Sequence, residues 1–208
     1  MTLNEFDAQY RDRYKLVCGT DEAGRGPLAG DVYAAAVIFP EDVVIEGLND
    51  SKKLTEKKRE QLFDEIKEKA LTWCIATASV AEIEEINILE AAKLAMKRAV
   101  AGLKGVPDII LVDGNMPPEF PVPYEAVVKG DGKSQAIAAA SVLAKVARDR
   151  YMKQLAAEYP EWKFDKHKGY GTKLHYQMLD MYGESPVHRK SFLKKYYAKK
   201  AELTDEQA

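Results

Sequence analysis

Residues 15–39 read KLVCGTDEAGRGPLAGDVYAAAVIF, which is two apolar runs joined by a loop rich in glycine. The first run, 15–20, and the second, 31–39, have the composition of β-strands, and their short connection predicts an antiparallel pair. Two acids, Asp21 and Glu22, stand where the first strand ends. A carboxylate in that position contributes little to packing but is well placed to bind a cation at the rim of a sheet.

The rest of the chain alternates helices and strands around this pair. Apolar residues at helical spacing predict helices over 55–70, about 83–103 and about 134–158. Strand-like composition marks 71–80, 108–112 and 124–128. Three antiparallel strands, followed by helix, strand, strand and helix, predict an α/β protein with a mixed sheet covered by helices.

Length and composition favour one cytosolic domain. The chain has 208 residues, of which 46% are hydrophobic and 31% charged, enough for one well-buried core. Its net charge of −2 gives no general signal for nucleic-acid binding, so such binding has to depend on local charge. We find no export signal and no apolar segment long enough to span a membrane. Cys18 and Cys74 lie in apolar runs without metal-ligand spacing, which predicts reduced thiols.

Two more acids follow apolar runs, Asp113 in DIILVDGN and Asp131 in EAVVKGDGKSQ. Mg²⁺ and Mn²⁺ prefer oxygen ligands, and two-metal hydrolysis of a phosphodiester needs several carboxylates but no protein nucleophile. The chain has three histidines and neither a Walker loop nor a nucleophile elbow, so the acids predict metal-dependent phosphodiester hydrolysis. Any single acid is also explained as a helix cap or a solvated turn, Asp131 before Ser134 in particular.

Two loops near these acids suit a phosphate-rich substrate, although each also has a plain structural explanation. The glycines of Gly24-Arg25-Gly26 let a backbone approach a ligand closely and Arg25 can bind phosphate, but the same residues before Pro27 describe an ordinary turn. In the stretch NDSKK, Ser51 and Lys52 can contact a phosphate, but the stretch equally describes a helix N-cap with solvated lysines.

The segment 163–200 is basic, with ten lysines and arginines against three acids. Charge runs are usually solvated faces. This one interleaves aromatic side chains, as a nucleic-acid groove with stacking residues requires: Tyr170, Tyr176, Phe192, Tyr196 and Tyr197.

Taken together, five motifs closely resemble the bacterial ribonuclease HII family, in order and with suitable spacing from about residue 15 to residue 195. They are DEAGRGPLAG, LNDSKKL, LVDGN, VVKGDGKSQAIAAASVLAKVARDR and HKGYGT. The resemblance implies a ribonuclease H-like fold, a mixed five-stranded sheet flanked by helices with a helical C-terminal extension. It implies one catalytic domain over 1–208, in which 159–200 is the basic extension and 201–208 a frayed tail.

The resemblance also implies an activity. Members of the family are endoribonucleases that use Mn²⁺ or Mg²⁺ in a two-metal site. They hydrolyse the RNA strand of RNA–DNA hybrids and cut on the 5′ side of ribonucleotides embedded in duplex DNA, leaving 3′-hydroxyl and 5′-phosphate ends. We therefore expect a cytoplasmic monomer that acts in ribonucleotide excision repair and DNA replication, with hybrids and ribonucleotide-containing duplexes as partners. No sliding-clamp peptide is evident.

Residue by residue, the family's metal-binding acids match Asp21, Glu22, Asp113 and Asp131. Its 2′-hydroxyl-sensing motif matches Gly24, Arg25 and Gly26, and its phosphate-contacting loop matches Asn49, Ser51 and Lys52. The tyrosine that stacks on the deoxyribose after the ribonucleotide matches Tyr170. After that tyrosine, Gly171 and Lys173 depart from the family pattern, which leaves the local loop geometry open.

Two other functions fit parts of the sequence. A different nuclease of ribonuclease H-like fold, such as a junction resolvase or a transposase core, also places acids on this sheet, but it needs neither the glycine–arginine–glycine loop nor the tyrosine of HKGY. A binding module with purely structural acids is the alternative from another class. Cleavage of a duplex with one ribonucleotide, compared with a four-way junction and a catalytically dead control, separates all three.

Overall fold

A five-stranded sheet forms the centre of the computed structural model, which describes residues 1–205. The strands are β1 Val17–Ala23, β2 Val32–Ile38, β3 Thr72–Ala78, β4 Ile109–Asp113 and β5 Tyr124–Val127. Their spatial order is β3-β2-β1-β4-β5, in which β1, β2 and β3 are antiparallel neighbours while β4 and β5 run parallel to β1. The predicted mixed sheet is confirmed. Because β1 and β4 are parallel, the acids at their carboxyl ends meet at one edge of the sheet.

Seven α-helices accompany the sheet in the described residues: α1 Leu3–Arg11, α2 Glu56–Lys69, α3 Val80–Ala101, α4 Gln135–Glu158, α5 Phe164–His167, α6 Lys173–Tyr182 and α7 Lys190–Asp205. The three predicted helices are α2, α3 and α4. Since α7 continues to Asp205, residues 201–205 of the expected tail are helical, and the remainder, 206–208, lies outside the described residues. None of the helices in 1–205 combines the length and apolarity needed to cross a membrane.

Helix α3 is not continuous, which the apolar pattern did not reveal. Asn87 has a φ of 67°, outside the helical region. Its side-chain oxygen accepts hydrogen bonds from the backbone N–H groups of Leu89 and Glu90, at 2.9 and 3.2 Å. Asn87 therefore acts as an N-cap inside the helix, and the chain restarts there in a second helical segment.

The sheet is apolar on both faces, so a helical layer covers each of them. On β2 the residues alternate: Ala34 and Ala36 pack towards α3, whereas Ala35 and Val37 pack towards α2 and α4. Gly19 lets α4 lie directly on β1, since a Cβ at that position would come within 2.1 Å of the Ala136 carbonyl carbon. This close approach holds the N-terminus of α4 against the strand that ends at Asp21. Both cysteines are free thiols in the described structure.

The helices α5 to α7 form the expected C-terminal extension, and backbone hydrogen bonds join it to the glycine loop after β1. Leu28 donates its N–H to the carbonyl of Gly169 at 2.8 Å and accepts from the N–H of Arg189 at 2.8 Å. Gly30 donates to the carbonyl of Val187 at 2.9 Å. The extension therefore forms one wall of the region around residues 24–30.

Candidate active site

Three of the predicted acids form a compact cluster. Asp21 ends the buried part of β1, Asp113 is the last residue of β4, and Asp131 lies in a 3₁₀ turn, Gly130–Gly132, just before α4. One carboxylate oxygen from each lies within 4.8 Å of the others, an arrangement that suits a metal ion. Asp113 Oδ1 also accepts from the N–H of Gly130 at 2.7 Å, which ties the turn to β4. Residues far apart in sequence are thus brought together by the sheet.

Glu22, the fourth predicted acid, lies at the border of this cluster. Its carboxylate forms a salt bridge with Arg25 at 3.2 Å, and the three-acid group found among residues 1–205 does not include it. Burial raises the pKa of Glu22, Arg25 lowers it in part, and the charge of Asp113 raises it again. The charge of the cluster therefore affects the pKa of Glu22, while the Glu22 side chain forms its ion pair with Arg25 of the glycine loop.

The electrostatics of the cluster favour a divalent cation. Burial raises the pKa of Asp21 well above its usual range, and the negative charges of Glu22, Asp113 and Asp131 raise it further. Burial also raises the pKa of Asp131, with Asp113 as the next cause. Carboxylates crowded in this way repel one another and hold protons unless a positive charge compensates them. The oxygen ligands and their spacing fit Mg²⁺ or Mn²⁺, with Asp21, Asp113 and Asp131 as the residues that would hold the ion.

Lys52 provides positive charge beside the acids. Partial burial lowers the pKa of Lys52, but the carboxylates of Asp21, Asp131 and Asp50 raise it by more. With Lys53, Lys129, Lys133 and others, Lys52 lines a groove of about 720 Å³ next to Asp113 and Asp131. A groove lined by both acids and lysines suits a phosphate backbone that passes over a metal site.

Three residues that precede Lys52 in the predicted phosphate-contacting loop form hydrogen bonds within the protein. Asp50 caps the turn that follows it, accepting from the N–H of Lys52 at 2.9 Å, so the capping interpretation of this stretch is confirmed. The Ser51 hydroxyl is buried and hydrogen-bonds the Ser141 hydroxyl at 2.7 Å. Asn49 is exposed, and its side-chain oxygen accepts from the N–H of Asp50 at 2.8 Å.

Two buried arginines hold the segment from Gly24 to Asp31, which begins with the glycine–arginine–glycine loop. Arg189 donates hydrogen bonds of 2.6–3.1 Å to the carbonyls of Gly24, Arg25, Pro27 and Gly30. Arg148 donates to the carbonyls of Ala29, Asp31 and Lys168, each at 3.1 Å.

Gly24 is required where the loop meets Arg148. It has a φ of +102°, and a Cβ there would come within 2.1 Å of Arg148 Nε. Neither arginine was identified from the sequence, because Arg148 lies in a helical pattern and Arg189 in a basic run. The structure corrects the interpretation of Arg189: it is fully buried and is not part of a nucleic-acid surface.

Tyr170 presents its ring at the open side of the same region. The residue is 41% exposed, and Lys145 Nζ and Arg148 Cζ each lie 5.9 Å from its ring centre. The other aromatic residues of the basic segment are partly used in packing: Phe192 contacts Arg189, and the rings of Tyr176 and Tyr196 lie 5.2 Å apart. Among the interleaved aromatic residues, Tyr170 lines the same pocket as Asp21 and Glu22.

One pocket of about 190 Å³ joins most of the predicted site. Its lining combines one acid of the metal-type cluster, the neighbouring Glu22, the glycine loop, the lysine loop and the tyrosine, and includes Asp21, Glu22, Gly24, Arg25, Gly26, Ser51, Lys52, Lys145 and Tyr170. Lys52 lines both this pocket and the groove that contains Asp113 and Asp131. A site with this combination can bind a cation, a phosphate and a sugar next to one another.

Comparison with known proteins gives the family. The family model described as Ribonuclease HII matches residues 18–198. The chain belongs to this family. Ribonuclease HII of Idiomarina loihiensis is 60% identical over 177 residues, which are 85% of this chain and 95% of the relative. The protein of the same name from Caldicellulosiruptor saccharolyticus is 54% identical over 184 residues, 88% of this chain and 90% of that one.

The fold agrees with this membership. The crystal structure of ribonuclease H2 from Pyrococcus horikoshii OT3 superposes with a TM-score of 0.71 at 27% identity, over 85% of this chain and 93% of the other. The chain is accordingly a ribonuclease H, a metal-dependent enzyme that acts on RNA–DNA hybrids. The resolvase, transposase and binding-module alternatives are thereby excluded.

Proposed function

We propose that this ribonuclease HII family member cuts the phosphodiester bond on the 5′ side of a ribonucleotide, both in hybrids and where a single ribonucleotide is embedded in duplex DNA. The observation that supports this is the shared pocket, in which Asp21 and Glu22 lie beside the glycine loop and Tyr170. The metal site therefore adjoins a surface, formed by the glycine loop and Tyr170, that can contact the sugar on one side of the scissile bond.

In the proposed mechanism, Asp21, Asp113 and Asp131, with Glu22 beside them, would hold two Mn²⁺ or Mg²⁺ ions. When bound, the ions supply a water nucleophile at neutral pH and stabilise the charge on the leaving oxygen. The water oxygen forms a bond to phosphorus and the bond from phosphorus to the 3′-oxygen breaks, while the water gives up a proton to solvent and the 3′-oxygen takes one up. The preceding nucleotide keeps a 3′-hydroxyl and the ribonucleotide keeps a 5′-phosphate. Lys52 supports this step by holding positive charge next to the acids.

The glycine loop is proposed to recognise the 2′-hydroxyl. That hydroxyl is the group by which a protein distinguishes RNA from DNA at a given position. Arg25 and Gly26 are exposed, and Gly26 has no side chain to cover its backbone. Arg189 fixes the orientation of the loop by binding the carbonyls of Gly24 and Arg25. Because the peptide groups are held before a substrate arrives, little ordering remains to be done on binding.

Tyr170 is proposed to pack its ring on the deoxyribose that follows the ribonucleotide, where a 2′-hydroxyl would clash. Phosphates on either side contact the groove through Lys52, with Asn49 and Ser51 shaping the loop. The basic extension over 159–200 adds affinity for the duplex. We further propose that the enzyme acts as a monomer in the cytoplasm, in ribonucleotide excision repair and DNA replication.

The test compares three proteins, wild type, Tyr170→Ala and Tyr170→Phe, on a DNA duplex with one ribonucleotide. A stacking contact of this kind contributes about 1–3 kcal/mol, so Tyr170→Ala is expected to lose about one to two orders of magnitude in cleavage. Tyr170→Phe keeps the ring and retains most of the activity. Wild-type cleavage by a folded Tyr170→Ala variant, or products without a 5′-phosphate on the ribonucleotide, would disprove the proposal.

A further inference from the structure

All three histidines of the chain meet in one buried cluster next to Tyr170. His167, His175 and His188 are 7%, 0% and 2% exposed. The rings of His167 and His175 stack with their centres 4.1 Å apart. The Nε2 atoms of His175 and His188 lie 2.9 Å apart, at hydrogen-bonding distance. The proposed function gives these residues no role.

The hydrogen bonds of two histidines form a chain with a defined direction. The N–H of Ser185 donates to His188 Nδ1 at 2.8 Å, so the proton of this neutral ring is on Nε2. His188 Nε2 then donates to His175 Nε2, which leaves the His175 proton on Nδ1. His175 Nδ1 donates it to the carbonyl oxygen of Tyr170 at 3.0 Å. Burial lowers the pKa of both His175 and His188 to about 4, so both rings are neutral near pH 7.

The third histidine secures the other side of the same loop. His167 Nδ1 accepts from the N–H of Gly169 at 3.2 Å, and Nε2 hydrogen-bonds the carbonyl of Trp162 at 2.8 Å. The Tyr170 N–H donates to the His167 carbonyl at 2.9 Å. The backbone of Tyr170 is thus held at both its N–H and its carbonyl, while its ring remains exposed to a substrate.

Each ring nitrogen of the cluster has a hydrogen-bond partner, so the three histidines offer no lone pair to a metal ion. The metal-type group among residues 1–205 consists of aspartates instead. The cluster also ends on a peptide carbonyl, which is not a proton acceptor in catalysis. The histidine cluster therefore has a structural role, which is to hold the backbone of Tyr170 in place.

We propose that the chain from Ser185 through His188 and His175 is a positioning device for Tyr170, and that His175 and His188 are specificity-determining residues for cleavage at a single embedded ribonucleotide. The chain links the segment before α7 to the loop that presents the ring. This inference rests on the proposed role of Tyr170. On a long RNA–DNA hybrid the next sugar is a ribose, on which the Tyr170 ring is not proposed to pack. The position of the ring, and with it the histidines, therefore affects cleavage of a long hybrid less.

Two substitutions at His175 separate the two hydrogen bonds. The amide of His175→Asn occupies the place of Nδ1 and can still donate to the Tyr170 carbonyl. The amide of His175→Gln reaches the place of Nε2, so it keeps the link to His188 and loses the link to Tyr170. We expect His175→Gln to lower kcat at a single ribonucleotide about tenfold with KM little changed, the effect of one misplaced contact. His175→Asn restores most of this loss.

A double-mutant cycle shows whether His175 acts through Tyr170. In a Tyr170→Ala background, His175→Gln is expected to cause no further loss at a single ribonucleotide, because the ring it positions is absent. On a long hybrid, His175→Gln alone stays within about twofold of wild type. If His175→Gln fails to fold, as judged by circular dichroism, His188→Gln, which keeps an amide donor towards His175, is compared with His188→Leu in the same cycle.

The outcomes distinguish this inference from the proposed function. Equal loss on both substrates, or full additivity with Tyr170→Ala, identifies a structural role only and overturns the positioning role. The same conclusion follows if Tyr170→Ala is impaired but His175→Gln is not. If Tyr170→Ala itself cleaves normally, the proposed junction-reading role of Tyr170 fails, and the specificity role of the histidines fails with it.

Discussion

Replacing Asp113 by Asn tests the acidic cluster as a metal site. Asparagine has nearly the same shape, and its side-chain oxygen can continue to accept from the N–H of Gly130, now 2.7 Å from Asp113 Oδ1. The turn that carries Asp131 is therefore retained. The substitution removes one negative charge from three carboxylates that lie within 4.8 Å of one another. We expect it to abolish catalysis and to stabilise the metal-free protein.

The size of the stabilisation follows from these distances. Two unit charges 4.8 Å apart repel by about 3.5 kcal/mol at an effective dielectric constant of about 20. Asp113 is partly solvated and Asp21 holds its proton more tightly than usual, so we expect roughly 1–2 kcal/mol. A carboxyl group whose pKa is higher in the folded than in the unfolded state destabilises the protein at neutral pH. Removing the Asp113 charge lowers the pKa of Asp21 towards its usual value and so reduces this destabilisation. For a chain of this size the melting temperature then rises by about 2–8 °C.

The assay is a thermal denaturation, first with a chelator and then with increasing Mn²⁺ or Mg²⁺. Wild type gains stability from the metal, about 2.7 kcal/mol at a hundredfold excess over Kd, whereas Asp113→Asn gains little. Cleavage of a ribonucleotide-containing duplex falls by at least about a thousandfold, because several kcal/mol of charge stabilisation are lost.

The matched control is Glu125→Gln on the neighbouring strand, which removes an exposed negative charge whose partner is the Tyr10 hydroxyl at 2.9 Å. It is expected to leave cleavage and the metal response unchanged. The reasoning is refuted if metal-free Asp113→Asn melts below wild type, if Mn²⁺ stabilises both proteins equally, or if turnover in saturating metal stays near normal.

Three further predictions concern parts of the molecule away from the metal site. Burial raises the pKa of Asp7 to about 6, above its unfolded value. The folded protein therefore loses stability as the pH rises from about 4 to about 6. Asp7→Asn should therefore melt above wild type near pH 7, with the difference disappearing near pH 4. Arg189→Lys leaves loop carbonyls unpaired and should cost about 3 kcal/mol in a denaturant titration, whereas an unchanged midpoint would contradict the role of Arg189. Exchanging the exposed Lys194 and Lys195 for Gln should reduce the salt slope of duplex binding by about 2, and an unchanged slope would show that they contact no phosphate.

Much of the fold follows from short stretches of sequence. Each predicted strand and helix is present within a few residues, because apolar periodicity reports directly which face of an element is buried. The acids that follow apolar runs were predicted to form a metal site at the rim of the sheet, and Asp21, Asp113 and Asp131 lie together there. The parallel pairing of β1 and β4, which brings Asp21 and Asp113 to the same edge, is a finding of the structure. The kink at Asn87 was not predicted, since a single capping residue inside an apolar pattern does not interrupt its period.

The family, the strands and the acids that follow apolar runs were predictable because each of them depends on residues close together in the chain. The hydrogen bond from Arg189 to Gly24, 165 positions away, and the meeting of three scattered histidines next to Tyr170 depend instead on how distant segments pack together. The physical reason is that an arginine in a basic run has the same local sequence whether it faces water or a ring of carbonyls. Its partners are set by long-range packing of the extension against the glycine loop, which no local pattern records.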